Sequence, residues 1–170
     1  MDNAAKAVAK ALFEAIRAES DGYSFYKMAA QSSQDEKGRA VFEQLAGEEL
    51  EHKRFLAAQY RSVMETGKVD ASVKLGRPAD LSGASPIFSE HLKARLQDAH
   101  YEMSALSIGI QLEQGSMAYY REQAGRHDDP AIKGFFEELA DWERGHYEAL
   151  MRQQESLKDD YWYGAGFSPF

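Results

Sequence analysis

Displaced by 94 residues, the sequence meets itself without a gap: Ile16, Glu19, Tyr26, Ala30, Asp35, Phe42, Glu43, Leu45, Ala46, Glu49, His52 and Leu56 fall on Ile110, Glu113, Tyr120, Ala124, Asp129, Phe136, Glu137, Leu139, Ala140, Glu143, His146 and Leu150. A period this long exceeds a solenoid unit and fits a helical hairpin plus its connection. The chain therefore reads as two pseudo-equivalent halves. Each half carries one Glu-x-x-His, at Glu49 and His52 or at Glu143 and His146, and a lone glutamate 30 residues earlier, Glu19 or Glu113. Residues three apart on an α-helix lie nearly one above the other, so each Glu-x-x-His is a carboxylate and imidazole claw on one face. Four helices bringing these groups to one level are the simplest arrangement.

The spacing of apolar residues predicts helices over about 3–31, 35–66, 98–126 and 129–157, with a short extra helix over about 86–97. The second stripe reads Phe42, Leu45, Glu49, His52, Leu56, Gln59 and Val63, and the fourth Phe136, Leu139, Glu143, His146 and Leu150, so the claws interrupt otherwise apolar seams. Asp35 is the expected N-cap of the second helix and Asp129-Pro130 caps the fourth, while Ser85-Pro86 suits a helix start with Ser as cap and Pro at the first helical position. Gly67 to Ser85 is broken by Gly67, Gly76, Pro78 and Gly83. Antiparallel neighbours need roughly 2 to 8 linking residues, so this stretch predicts a parallel second and third helix joined by one long crossover. The expected fold class is all-α: a four-helix bundle over residues 1–158 with an internal two-fold pseudo-repeat. The tail, 159–170, holds five aromatic residues and is expected to pack on the bundle or a neighbouring subunit, the sharper alternative being a docking peptide.

A single glutamate or histidine in a helical seam is usually a hydrogen-bonded core residue. Four carboxylates at one level differ, because burying even one uncompensated ion costs several kcal/mol. Two divalent cations cancel that charge and two neutral imidazoles complete the coordination. The expected metal ligands are Glu19, Glu49, His52, Glu113, Glu143 and His146. Glu49 and Glu143 would bridge, Glu19 and His52 would finish one ion, and Glu113 and His146 the other. Oxygen-rich donors with one imidazole per metal suit iron or manganese, and zinc can occupy such a site in a purified sample. Tyr26 and Tyr120 lie seven residues beyond Glu19 and Glu113 on the same faces and are candidates to hold ligand carboxylates by hydrogen bonds. Glu102 returns to the face of Glu113 and is expected at a solvated end of the bundle.

The net charge of −8 argues against nucleic acid or an anionic membrane surface as partner. With no cysteine, disulfides, thiolate metal sites and iron–sulfur clusters are excluded from these 170 residues. No run approaches the roughly 18 apolar residues of a membrane span, and the start lacks a basic segment followed by an apolar one. A cytoplasmic protein is expected.

Glu19 with Tyr26, Glu49-x-x-His52, Glu113 with Tyr120, and Glu143-x-x-His146 together resemble the rubrerythrin-like branch of the ferritin-like superfamily, over about residues 3–157. The resemblance implies a ferritin-like bundle that binds two iron ions, reacts with hydrogen peroxide or dioxygen, and forms a homodimer. Full-length rubrerythrins feed the centre from a rubredoxin module. That module needs cysteines, so an external electron-donor protein is implied here. Rubrerythrins also place an extra carboxylate one turn from the third-helix ligand, where this chain has Ile110 and Ser116. The alternative reading is a ferritin-like iron-binding protein or ferroxidase that handles iron. Oxygenation of an organic substrate is a third, weaker reading.

Overall fold

The computed structural model describes residues 3–76 and 100–164. They form α1 (Asn3–Ser32), α2 (Glu36–Thr66), α3 (His100–Arg126) and α4 (Pro130–Gly164), with no strand among the described residues. The structure is all-α and takes the form of a four-helix bundle. The region of the expected short helix, 86–97, lies outside the described residues, as do the second half of the crossover and the tail beyond Gly164.

Local chemistry sets the helix ends. Asp35, extended at φ −86° and ψ 123°, accepts from the Gly38 N–H at 2.9 Å, and Glu36 adds negative charge to the first turn of α2. Gly67 closes α2 in the left-handed region at φ 77° and donates its N–H to Val63 O. Asp129 Oδ1 accepts from the Ala131 N–H at 2.8 Å, and Pro130 opens α4. α4 runs to Gly164, past Leu157 where the apolar seam fades and where the sequence pattern predicts its end. A helix needs no seam to continue, and between Leu157 and Gly164 the chain offers neither glycine nor proline to stop it.

Helix direction follows from the cross-bundle contacts. Ser33 at the end of α1 touches Glu102 at the start of α3, and Tyr119 near the end of α3 donates to Ala11 O near the start of α1 at 2.9 Å. α1 is thus antiparallel to α3, and the tight turn makes it antiparallel to α2. Hence α2 and α3 run the same way, and the crossover must travel the length of the bundle. Gln59 anchors its beginning, donating to Asp70 O and accepting from the Asp70 N–H, each at 2.8 Å. Leu75 then packs into the core. Glu102 is buried rather than solvated: it accepts from Ser33 Oγ at 3.1 Å and the Gln34 N–H at 3.3 Å, tying the α1–α2 turn to α3.

Two apolar layers fill the bundle. One holds Leu12, Leu56, Val63, Phe136 and Leu139, the other Phe42, Leu45, Leu106, Leu150 and Leu157. The pseudo-twofold is visible in matched ring pairs, Tyr26 on Phe42 at 6.4 Å and Tyr120 on Phe136 at 6.3 Å. Between the layers lies a buried polar level. No helix among the described residues is long and apolar enough to cross a membrane.

Candidate metal centre

The polar level consists of one carboxylate from α1 (Glu19), one from α3 (Glu113), and the two claws of α2 and α4, all buried. Glu49, Glu113, Glu143 and His146 form one group able to hold an ion, and Glu19, Glu49 and His52 a second, with ligand atoms in each group within 4.8 Å of one another. Glu49 belongs to both groups. Glu143 faces both imidazoles: its Oε1 is 3.0 Å from His52 Nδ1 and its Oε2 is 3.5 Å from His146 Nδ1. His52 Nδ1 is also 3.2 Å from Glu19 Oε2, and His146 Nδ1 is 3.6 Å from Glu113 Oε2. The two rings lie nearly parallel, 5.7 Å apart.

The tyrosines reach across the bundle rather than along their own helices. Tyr26 on α1 donates to Glu113 Oε1 on α3, and Tyr120 on α3 donates to Glu19 Oε1 on α1. Two turns along one helix is about 10 Å, too far for Tyr26 to meet Glu19, whereas antiparallel α1 and α3 bring each tyrosine level with the other helix's acid. Two glycines make room at this level, Gly22 for Glu49 and Gly109 for Tyr26. A Cβ on Gly22 would stand 3.0 Å from Glu49 Oε2, and one on Gly109 would stand 3.1 Å from the Tyr26 hydroxyl.

Glu48 joins the site although sequence reasoning passed over it. Its Oε2 lies 2.8 Å from His146 Nε2 and accepts from Trp142 Nε1–H at 3.3 Å. Gln44 Nε2 donates to its Oε1 at 3.4 Å. The one sequence signal for it is a break in the repeat, since 94 residues beyond Glu48 stands Trp142.

Burial pushes the Glu49 carboxyl well above the usual range, and the Glu19 charge adds to the effect. Glu113 rises to about 8 through burial and the Glu143 charge. Burial disfavours charged imidazoles, yet the Glu143 and Glu19 carboxylates raise His52 to about 10. The surrounding carboxylates, Glu113 first, raise His146 well above its ordinary value against the same burial. Glu143 moves the other way: burial would raise it, but His52 and His146 hold it well below the carboxylate range. Burial and the facing carboxylates keep both Tyr26 and Tyr120 protonated. Without metal, these shifts favour protons on Glu49, Glu113 and the imidazoles, which offset part of the negative charge at this level.

The donors nevertheless fit a pair of divalent ions. Among the described residues, both Glu143 oxygens and His146 Nδ1 are buried without a hydrogen-bond partner. Native structures rarely leave buried polar atoms unpaired without a reason, and here these atoms converge on the remaining carboxylates. Four carboxylates and two imidazoles match the ferritin-like donor pattern of one glutamate from each of two helices and Glu-x-x-His from the others. His52 Nε2, on the outer side of its ring, is also unpaired.

Neither a curated protein nor a solved structure matches the chain. The family model described as Rubrerythrin matches residues 10–153, a span that holds all six clustered acids and histidines and implies a di-iron site. On that match, the chain belongs to the rubrerythrin family.

Proposed function

We propose that this protein reduces hydrogen peroxide or dioxygen at a carboxylate-bridged di-iron centre, using electrons from an external donor protein. The observation that carries the reading is Glu143, whose two buried oxygens each face one imidazole with no hydrogen bond among the described residues. Glu49 and Glu143 would bridge the ions, with Glu19 and His52 on one and Glu113 and His146 on the other. When bound, two irons supply a store of two electrons and a template for both oxygen atoms of the oxidant.

The chain's own residues do the rest. Tyr26 and Tyr120 each occupy one oxygen of a terminal carboxylate and so leave the other free to ligate. Their phenols stay protonated and act as hydrogen-bond donors. The apolar layers on either side keep bulk water from the level of the acids. Loading the centre requires Glu49, Glu113 and the imidazoles to shed protons, so metal uptake is expected to release acid.

A second reading, ferroxidase-type iron handling, is favoured by Ile110, which is buried among apolar residues one turn before Glu113, where rubrerythrins carry a further carboxylate. Anaerobic loading with ferrous iron, followed by stopped-flow mixing with peroxide or dioxygen, tests the first reading. Oxidation faster than that of free ferrous iron, with peroxide preferred over dioxygen, supports it, and oxidation no faster than free iron contradicts it. Light scattering tests the second, because a dimer cannot enclose a mineral.

A further inference from the structure

The two halves of the centre match in every inward-facing donor and differ behind the imidazoles. On one side, the outward nitrogen of His146 meets Glu48 Oε2 at 2.8 Å. Glu48 is itself held by the Trp142 indole N–H at 3.3 Å and by Gln44 Nε2 at 3.4 Å. On the other side, the residue that the repeat sets in place of Glu48 is Trp142, whose ring stands perpendicular to His52 at 4.9 Å. An indole N–H is only a donor and this one is already given to Glu48, so Trp142 offers no acceptor to His52. Among the described residues, His52 Nε2 is accordingly buried without a hydrogen-bond partner. One residue pair, Glu48 and Trp142, therefore supports one ligand and deprives its symmetry mate.

A carboxylate that accepts the outward N–H of an imidazole fixes the tautomer, aims the inward lone pair and makes that nitrogen a stronger donor. His146 has this support and His52 has none. We propose that Glu48 is a positioning residue that makes the two halves unequal, so that the half built on His146, with Glu49, Glu113 and Glu143, takes the first divalent ion and the half built on His52 takes the second more weakly. Trp142 takes part twice, as donor to Glu48 and as the bulk that stands where a second carboxylate would complete the symmetry. The inference rests on the metal-centre reading above and adds an order of loading to it.

The test uses the full chain, stripped by a chelator and titrated anaerobically with Mn²⁺ by calorimetry. Two binding events should appear, with constants at least tenfold apart. In parallel, Zn²⁺ titration of ¹⁵N-histidine-labelled protein should shift the His146 ring signals in the first equivalent and those of His52 only in the second. Glu48→Gln should weaken the first event by roughly 10- to 100-fold and leave the second within about threefold, merging the two. Glu48→Leu, which removes the acceptor entirely, should do more and should also release the His146 tautomer, visible in its ¹⁵N shifts. Circular dichroism identifies a variant that has lost the fold, and if the Leu variant does so, the Gln variant decides. Equal affinities in the wild type, His52 shifting first, or equal weakening of both events by Glu48→Gln would overturn the inference while leaving a two-metal centre in place. No binding of either ion would overturn the metal reading itself, and the order of loading with it.

Discussion

The half of the centre built on His146 and the half built on His52 carry the same donors from the same helical positions, yet only one is braced from outside. His146 leans on Glu48, which leans on Trp142 and Gln44, whereas His52 faces the same Trp142 ring with its outer nitrogen unpaired. The repeat is kept in what points inward, where the acids and imidazoles meet across the pseudo-twofold. One step round the helix the halves differ, with Glu48 in one and Trp142 in the other. Symmetry in the ligands therefore does not entail symmetry in their chemistry.

The comparison can be broken most severely at the shared residue. Glu49 belongs to both ligand groups, so Glu49→Gln should abolish tight binding in both halves at once, with bound Mn²⁺ falling from two per chain to less than one. Loss of one ion with the other untouched would place Glu49 in a single half.

Next in size is the tyrosine pair, which should behave alike where the histidines do not. Tyr26→Phe removes the hydrogen bond to Glu113, and Tyr120→Phe the equivalent bond to Glu19. Each should weaken its own half by about tenfold, consistent with losing a hydrogen bond to a charged group worth about 1.5–3 kcal/mol and with some relaxation. A large effect from one and none from the other would show that the asymmetry extends beyond Glu48 and Trp142.

The pH dependence probes both halves without mutation. Glu113, raised to about 8, keeps a proton that an unfolded glutamic acid releases near 4.5, so its contribution to stability is complete below about 4.5 and lost as pH rises through 8. His52, raised to about 10 from 6.5, contributes fully below about 6.5 and loses that contribution as pH rises through 10. The chelated protein should therefore lose several degrees of Tm between pH 6 and 10, with His146 and Glu49, both also raised, adding to the loss. Protein loaded with metal should show a flatter profile. A Tm that rises over this range in chelated protein would contradict the assignment.

The smallest expected effect is steric. Gly22→Ala places a Cβ 3.0 Å from Glu49 Oε2, so the shared carboxylate must give by a few tenths of an ångström, and metal affinity should fall severalfold in both halves with little change in fold. An unchanged affinity would mean that Glu49 has room to spare.

Much of this was legible in the sequence. The repeat named the six inward donors and both tyrosines because helical periodicity and a fixed offset leave few ways to arrange them. The caps at Asp35 and Asp129 and the parallel course of α2 and α3 followed from turn chemistry and linker length. What escaped depends on contacts between helices. The tyrosines' cross-bundle partners need the antiparallel stagger of α1 and α3. Glu48 stands about 100° round the helix from Glu49, off the apolar seam, and meets its partner only where α4 brings His146 against it. Glu102 read as solvated because its partners, Ser33 and the Gln34 backbone, belong to a distant turn. The reach of α4 to Gly164 was hidden because a pattern of buried residues says where packing stops, not where a helix must.

The central claim is that Glu19, Glu49, His52, Glu113, Glu143 and His146 form one site for two divalent ions. The most direct measurement is the iron content of the full chain after anaerobic loading with ferrous iron and removal of unbound metal, beside the Glu49→Gln, Glu143→Gln double variant. Two irons per chain in the wild type and fewer than one in the variant are predicted. Less than one iron in the wild type, or two retained by the variant, would contradict the account.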